Sequence, residues 1–375
     1  MIRVVADDKI PFLKGVLEPF ALITYLPAKM IGRDAIQYAD ALLIRTRTRC
    51  DEKLLHNTAV KFIATATIGF DHIDTEYCKK AGIHWINAPG CNASSVMQYI
   101  AAALFSISVK GKFLLDSKTI GIVGVGNVGS KVEKLARLLG MRVLLNDPPR
   151  ERIEGPGKFV SLETALKESD IITLHVPLTK EGNDRTFHLI GGETLSRMKK
   201  CTWLINSSRG EVVQTHAIKV ALTEEKLSGA VLDVWENEPN PDPGLLALTF
   251  IATPHIAGYS LDGKANGTAM IVRALAEHFS LPLSDWYPSG LAVPENPEIR
   301  IDVKNWTAEE IICEAVLRTY PILSDDARFR RDFASFESQR ENYPVRREFP
   351  AYRVHLSHPD PAISDKLMDL GFQMI

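Results

Sequence analysis

Lys118–Asp147 reads KTIGIVGVGNVGSKVEKLARLLGMRVLLND. An apolar run, TIGIV, meets a glycine cluster and then a segment with apolar residues at helical spacing. A second apolar run follows and ends on an acid. The pattern is strand, tight turn, amphipathic helix, strand, which carries far more weight than a glycine motif standing alone. Val128, Val132, Leu135, Leu138 and Leu139 share one side of the expected helix, the side that covers a sheet. Gly124, Gly126 and Gly129 stand in GxGxxG spacing. The first permits the turn, the second lets a pyrophosphate approach the backbone, and the third lets helix and strand pack closely. Amides near Asn127 and Val128, at the helix start, lack an intrahelical acceptor and favour a phosphate. Asp147 ends the second strand, where a carboxylate accepts hydrogen bonds from the adenosine ribose and repels a 2′-phosphate. The stretch therefore predicts a doubly wound domain that binds NAD in preference to NADP. Arg150 is the nearby cation that works against this preference.

The same alternation runs along most of the 375 residues. IRVVAD, ALITYL, ALLIRT and VKFIATA read as strands before the glycine turn. DIITLHV, TWLINSS, SGAVLDVW and TFIATPH read as strands after it. Strands alternating with helices predict α/β architecture with parallel sheets. One long helix starts near Ser94, and another runs from about Ser260 to Phe279. Pro282, Pro288, Pro294 and Pro297 then punctuate a linker-like stretch. A helical segment, AEEIICEAVLRTY, a basic stretch, NYPVRREFP, and a strand candidate, AYRVHLS, follow. They predict a small α+β domain at the C-terminus.

Apolar residues make up 45% of the chain and charged residues 24%, with a formal net charge of −2. This balance argues against a nucleic acid or a membrane surface as the main partner. No apolar run reaches the ~18 residues of a membrane helix. MIRVVADDKIPF reads as a strand and turn, not as a signal peptide. Cys50, Cys78, Cys91, Cys201 and Cys313 are odd in number, widely spaced and without a CxxC pair. Neither a disulfide framework nor a metal site is expected, and a reducing cytoplasm fits.

Three further stretches place polar groups just past apolar strands. WLINSSRGEVV presents Ser207, Ser208 and Arg209, AVLDVWENEP presents Asp233 and Glu238, and FIATPHIAGYS presents His255, Gly258 and Tyr259. In parallel sheets, ligands bind beyond the carboxyl ends of the strands, so these groups can converge. Their chemistry suits oxidation of a 2-hydroxy acid. Arg209 can hold the carboxylate with a bidentate fork. His255 can take the hydroxyl proton. Glu238 can fix the imidazole tautomer and favour its charged form.

GIVGVGNVG, NSSRGEVV, LDVWENEP and TPHIAG, in this order, resemble the D-isomer-specific 2-hydroxyacid dehydrogenases. The likeness covers about the first 285 residues. It implies two Rossmann-like domains: a flavodoxin-like substrate domain, residues 1–93 and 259–285, interrupted by an NAD-binding domain, residues 94–258. Residues 286–375 would form the third domain and mediate a homodimer. The resemblance assigns catalysis to Arg209, Glu238 and His255. It assigns cofactor contacts to Asn127, Val128, Asp147, His175, Ser207, Asp233 and Gly258; Ser208, beside Ser207, is counted with them. TATIGFDHID, APGCNA, DPPR and HIAGYSLDGKANGT, together with the C-terminal segment, resemble a branch acting on a small phosphorylated hydroxy acid. There Thr46, Thr67 and Tyr259 would contact substrate. Gln98 stands where the family commonly has glutamate, a departure that bears on local packing.

A substrate with both carboxylate and phosphate asks for more than one cation. LLIRTRTRC, Leu42–Cys50, supplies Arg45, Arg47 and Arg49. Arg45 is the candidate, Arg47 a weaker one, and Arg49 is expected in solvent. If a turn follows the strand, Arg45 and Arg47 do not share a direction. Arg340, Arg346 and Arg347 form a second basic cluster, expected as a solvated loop, with reach across a dimer as the other reading. Two rival functions remain open: another family member such as a 3-phosphoglycerate dehydrogenase, and a non-catalytic NADH-sensing corepressor on the same fold.

Overall fold

The computed structural model describes Met1–Ile375 and divides them into two compact units. The first comprises Met1–Asn92 and Ser260–Ala292; the second comprises Ala93–Tyr259 and Val293–Ile375.

The first unit holds five parallel strands: β1 (Ile2–Asp7), β2 (Ala21–Leu26), β3 (Ala41–Ile44), β4 (Phe62–Thr65) and β5 (His84–Ile86). Their order, β2-β1-β3-β4-β5, is the flavodoxin-like one, with its switch point between β1 and β3. β3 and β4 are buried at every position, as apolar runs covered on both faces must be. Helix Leu261–Phe279 covers one face with Ile271, Val272 and Leu275. Its first turn is capped by Ser260, which accepts the Gly263 N–H at 2.8 Å.

The second unit holds six parallel strands: β6 (Thr119–Val123), β7 (Arg142–Asn146), β8 (Ile171–Leu174), β9 (Thr202–Asn206), β10 (Leu227–Leu232) and β11 (Ile251–Ala252). They are ordered β11-β10-β9-β8-β6-β7, so the strand order reverses at β6. Helix Asn127–Leu138 follows β6 and buries Val132 and Leu135 toward the sheet.

The C-terminal segment adds a third parallel sheet, β12 (Glu298–Ile301), β13 (Arg353–Leu356) and β14 (Gln373–Met374). This segment, expected as a third domain, packs in one compact unit with the nucleotide-binding sheet. Val293–Ile375 joins the nucleotide-domain unit, and the preceding residues to Ala292 stay with the first. Helix Ala93–Gly111 explains why. SSVMQYIAAALFSISV offers no polar face, and the helix is buried nearly all round. Helix Asn127–Leu138 meets one side of it, and helix Ala308–Thr319 another. Ile311, Ile312, Val316, Val354 and Leu356 are thereby buried within this chain.

Candidate active site

Because every strand of the second sheet runs the same way, the segments after all six strands leave from one edge. Gly124 follows β6, Asp147 follows β7, and His175 follows β8. Ser207–Arg209 follow β9, Asp233–Glu238 follow β10, and Thr253–His255 follow β11. Backbone hydrogen bonds continue across this edge. Gly124 N–H donates to Asn146 O at 2.8 Å, His175 N–H to Val123 O at 2.8 Å, and Asp233 N–H to Asn206 O at 2.9 Å.

His255 and Glu238 form the central pair. Nδ1 of His255 lies 2.8 Å from Oε2 of Glu238, and Oε1 of Glu238 accepts the Trp235 N–H at 2.9 Å. Burial alone would raise the Glu238 carboxyl; the charge and hydrogen bond of His255 overcome it and hold it below the usual range. With Nδ1 engaged, Nε2 is the nitrogen left for a substrate. His255 itself sits at φ +57°, a left-handed conformation, which costs on the order of 1–3 kcal/mol and needs support from its surroundings. Asp233 supplies that support. It is 1% exposed. Its carboxylate accepts from Thr253 Oγ1 at 2.7 Å, Ile256 N–H at 2.8 Å and Ala257 N–H at 2.8 Å. Burial pushes its carboxyl up, against the opposing pull of His255 and these donors. Tyr99 continues the chain, 2.8 Å from the Thr253 hydroxyl.

Asn206 shapes the Arg209 turn. Its Nδ2 donates to Arg209 O at 2.9 Å, and its Oδ1 accepts from Ser208 N–H at 3.1 Å and Ser208 Oγ at 2.8 Å. Ser208 is thus spent on the turn. A Cβ on Gly210 would lie 2.0 Å from the Trp235 carbonyl, so this turn is pressed against the segment that carries Glu238. The Arg209 guanidinium donates to Ser208 O at 2.9 Å.

Residues 106–257 match the model of the D-isomer specific 2-hydroxyacid dehydrogenase NAD-binding domain. Residues 291–371 match a domain family of unknown function. The chain is 48% identical to erythronate-4-phosphate dehydrogenase of Bacteroides thetaiotaomicron, over 94% of this chain and 99% of the relative. It is 41% identical to the Azotobacter vinelandii protein of the same name, over the full length of both. The chain belongs to the erythronate-4-phosphate dehydrogenases. These sit within the D-isomer specific 2-hydroxyacid dehydrogenases, and this chain is an NAD-dependent oxidoreductase. Among solved structures it is similar to D-lactate dehydrogenase from Aquifex aeolicus complexed with NAD and lactic acid. The match has a TM-score of 0.61 and 29% identity, over 77% of this chain and all of that one.

The residues of this dehydrogenase fit NAD. Gly124 has φ +87°, and a Cβ there would lie 2.7 Å from the His175 carbonyl; one on Gly129 would lie 2.0 Å from Gly124 O. Those two glycines are required by the protein's own packing. Gly126 is different, because a Cβ there meets nothing within 4 Å. The open space is what a pyrophosphate would use, beside the amides of Asn127 and Val128. Asp147 accepts Val125 N–H at 2.7 Å and Arg150 N–H at 3.0 Å, one on each oxygen, and keeps lone pairs for ribose hydroxyls. Arg150 is engaged elsewhere: with Glu154 at 2.5 Å and with Val125 O. Ser207 Oγ is buried with no hydrogen-bond partner, an orphan that a bound ligand can satisfy. Burial pushes the His175 imidazole down to about 3, so it stands neutral; its Nε2 lies 3.0 Å from Thr173 Oγ1. Gly258 follows the His255 segment directly.

Arg45, Thr46 and Thr67 belong to the first unit. β3 ends at Ile44 and a turn follows, so Arg45 and Arg47 do not continue a strand. Arg45 is half-buried, with Nη1 3.4 Å from Lys9 O. Thr46 and Arg47 are exposed. Arg49 is exposed and pairs with Asp51 at 3.2 Å. Thr67 Oγ1 lies 2.8 Å from Thr65 Oγ1 and 3.1 Å from Gly69 O.

Sequence reasoning named the C-terminal arginines but misplaced one of them. Arg346 is not a solvated residue; it is 5% exposed. Its Nη2 donates to Ala257 O and Ser95 Oγ, each at 2.5 Å, and its guanidinium lies 4.3 Å above the Tyr320 ring. The carbonyls it holds are those just past His255. Gln98 explains its departure from the family pattern: it is fully buried and donates to Arg347 O at 2.9 Å. Nothing local in NYPVRREFP distinguishes such a buried arginine from a solvated one.

Proposed function

We propose that this enzyme oxidises 4-phospho-D-erythronate to 2-oxo-3-hydroxy-4-phosphobutanoate with NAD, a step of pyridoxal 5′-phosphate biosynthesis. The observation that carries the reading is the 2.8 Å contact of Glu238 with His255 Nδ1. It leaves Nε2 as a base on the same sheet edge as the glycine turn. His255 takes the proton of the C2 hydroxyl through Nε2. Glu238 holds the imidazole orientation and stabilises the charge that His255 gains. Arg209 clamps the substrate carboxylate. Bound NAD supplies the hydride acceptor; Gly124, Gly126, Gly129, Asn127, Val128 and Asp147 would hold its phosphates and ribose, with His175, Ser207 and Gly258 as further cofactor contacts. Ser208 and Asp233 act by shaping the turns that present Arg209 and His255. Arg45, Thr46, Thr67 and Tyr259 bind substrate.

NADH formation tests the reading on a panel of 4-phosphoerythronate, 3-phosphoglycerate, D-lactate and erythronate. The first should give the highest kcat/KM. A preference for 3-phosphoglycerate would favour the sister activity, and NADH binding without turnover of any acid would favour a sensor. The five free cysteines support a reducing cytoplasm as its compartment. Exposed Leu323, Val345 and Met368 in the C-terminal segment support a homodimer through that surface. Light scattering on the full chain decides the last point.

A further inference from the structure

Helix Phe336–Glu341 carries Arg340 in the same unit as Glu238, His255 and Tyr259. Phe336 anchors it: the ring is fully buried and lies 5.7 Å from Phe329, which lies 6.0 Å from Trp235. Trp235 donates its backbone N–H to Glu238, so one aromatic cluster ties the Arg340 helix to the segment bearing the carboxylate. The guanidinium stands 5.6 Å from the Tyr259 ring centre and hydrogen-bonds that side chain. Its ion pair with Glu337 is long, 3.5 Å, and Nε is buried with no hydrogen-bond partner. The Arg340 side chain is 21% exposed.

A positive charge held this way is incompletely answered by the protein. No hydrogen bond joins it to Glu238, whose two oxygens accept from Trp235 and face His255. Burial pushes the Glu238 carboxyl up, and the Arg340 charge adds a smaller downward pull to the stronger ones of His255 and Trp235. A partly exposed guanidinium whose one ion pair is long keeps N–H donors for a phosphate, which takes two parallel N–H bonds from one fork. A phosphate monoester carries about −1.5 to −2 charges at neutral pH, more than the carboxylate clamp at Arg209 can meet.

We propose that Arg340 is a substrate-binding residue of this chain's own site and takes the phosphate of the phosphorylated hydroxy acid beside Tyr259. The proposal rests on the reading of the site as a phospho-hydroxyacid dehydrogenase. It makes the C-terminal segment part of substrate recognition within one chain.

The test compares wild type, Arg340→Gln and Arg340→Lys as full chains. Initial rates are measured on 4-phosphoerythronate and on erythronate, with inorganic phosphate as inhibitor, and NADH affinity is measured by fluorescence. Arg340→Gln should raise KM for the phosphorylated acid on the order of ten- to a hundredfold. The ratio of kcat/KM, phosphorylated over unphosphorylated acid, should fall by a similar factor, and competition by phosphate should weaken. Arg340→Lys should recover part of each effect. NADH affinity should stay at the wild-type value, which also shows that the variants are folded. An unchanged KM and unchanged phosphate inhibition overturn the proposal. So does an equal loss on both acids, the mark of a purely structural residue. If the wild type itself fails to oxidise any phosphorylated acid, the functional reading falls first, before a variant is compared.

Discussion

His255 shows how one residue's chemistry depends on several others. Its Nδ1 faces Glu238, its strained φ of +57° is held by Asp233, and the carbonyls beyond it are held by Arg346. Replacing His255 with Ala should lower kcat by about 10²–10⁴-fold while NADH affinity stays close to normal. Retention of most of the rate would remove it from its proposed role. His255, Glu238 and Arg209 were legible in the sequence because each stands in a short motif directly after an apolar strand. Arg346 was not, since its partners Ser95 and Ala257 lie 251 and 89 positions away in the chain. A buried arginine and a surface arginine look alike until the fold brings carbonyls to one of them.

Among the elements, the segment after β8 carries a measurable signature. Burial lowers the His175 imidazole from 6.5 to about 3. Between those values the unfolded chain binds a proton that the folded chain refuses, so stability falls as pH falls through that window. The slope from this one group reaches at most about 1.4 kcal/mol per pH unit. His175→Asn should flatten the acid limb in urea unfolding of the protein without added NAD. Parallel curves for wild type and variant, at neutral pH and in mild acid, would show that another group sets the limb. The βαβ unit around the glycine turn was readable because strand, turn and helix signals follow one another without a gap. The strand His84–Ile86, by contrast, has three residues and no distinctive alternation, and only pairing with β4 defines it.

At the level of the whole molecule, the C-terminal segment is structural material for the nucleotide half. It shares apolar cores with it: Tyr320, Phe349 and Val354 join the cluster of Tyr99 and Phe105, and Phe329 and Phe336 join that of Trp235. A chain cut after Ala292 should therefore lose cooperative unfolding and NADH-forming activity, and expose apolar surface to a dye such as ANS. A cooperatively folded truncated chain that still reduces NAD would show that the segment serves association alone.

Local chemistry by itself determined the parallel α/β architecture and the dinucleotide turn, and it singled out Asp147 as the candidate ribose reader and Arg209, Glu238 and His255 as the candidate catalytic residues. Each depends on a periodicity or spacing of a few residues, which the chain carries wherever it folds. Only the tertiary structure decided the fate of the last 83 residues, Val293–Ile375. It decided too that Asp233 and Ser208 serve the turns, and that Arg346 and Arg340 stand with the His255 segment. Those outcomes rest on burial and on hydrogen bonds between residues far apart in sequence. A helix with no polar face demands a cover on both sides, but its sequence does not say which distant segment will supply it.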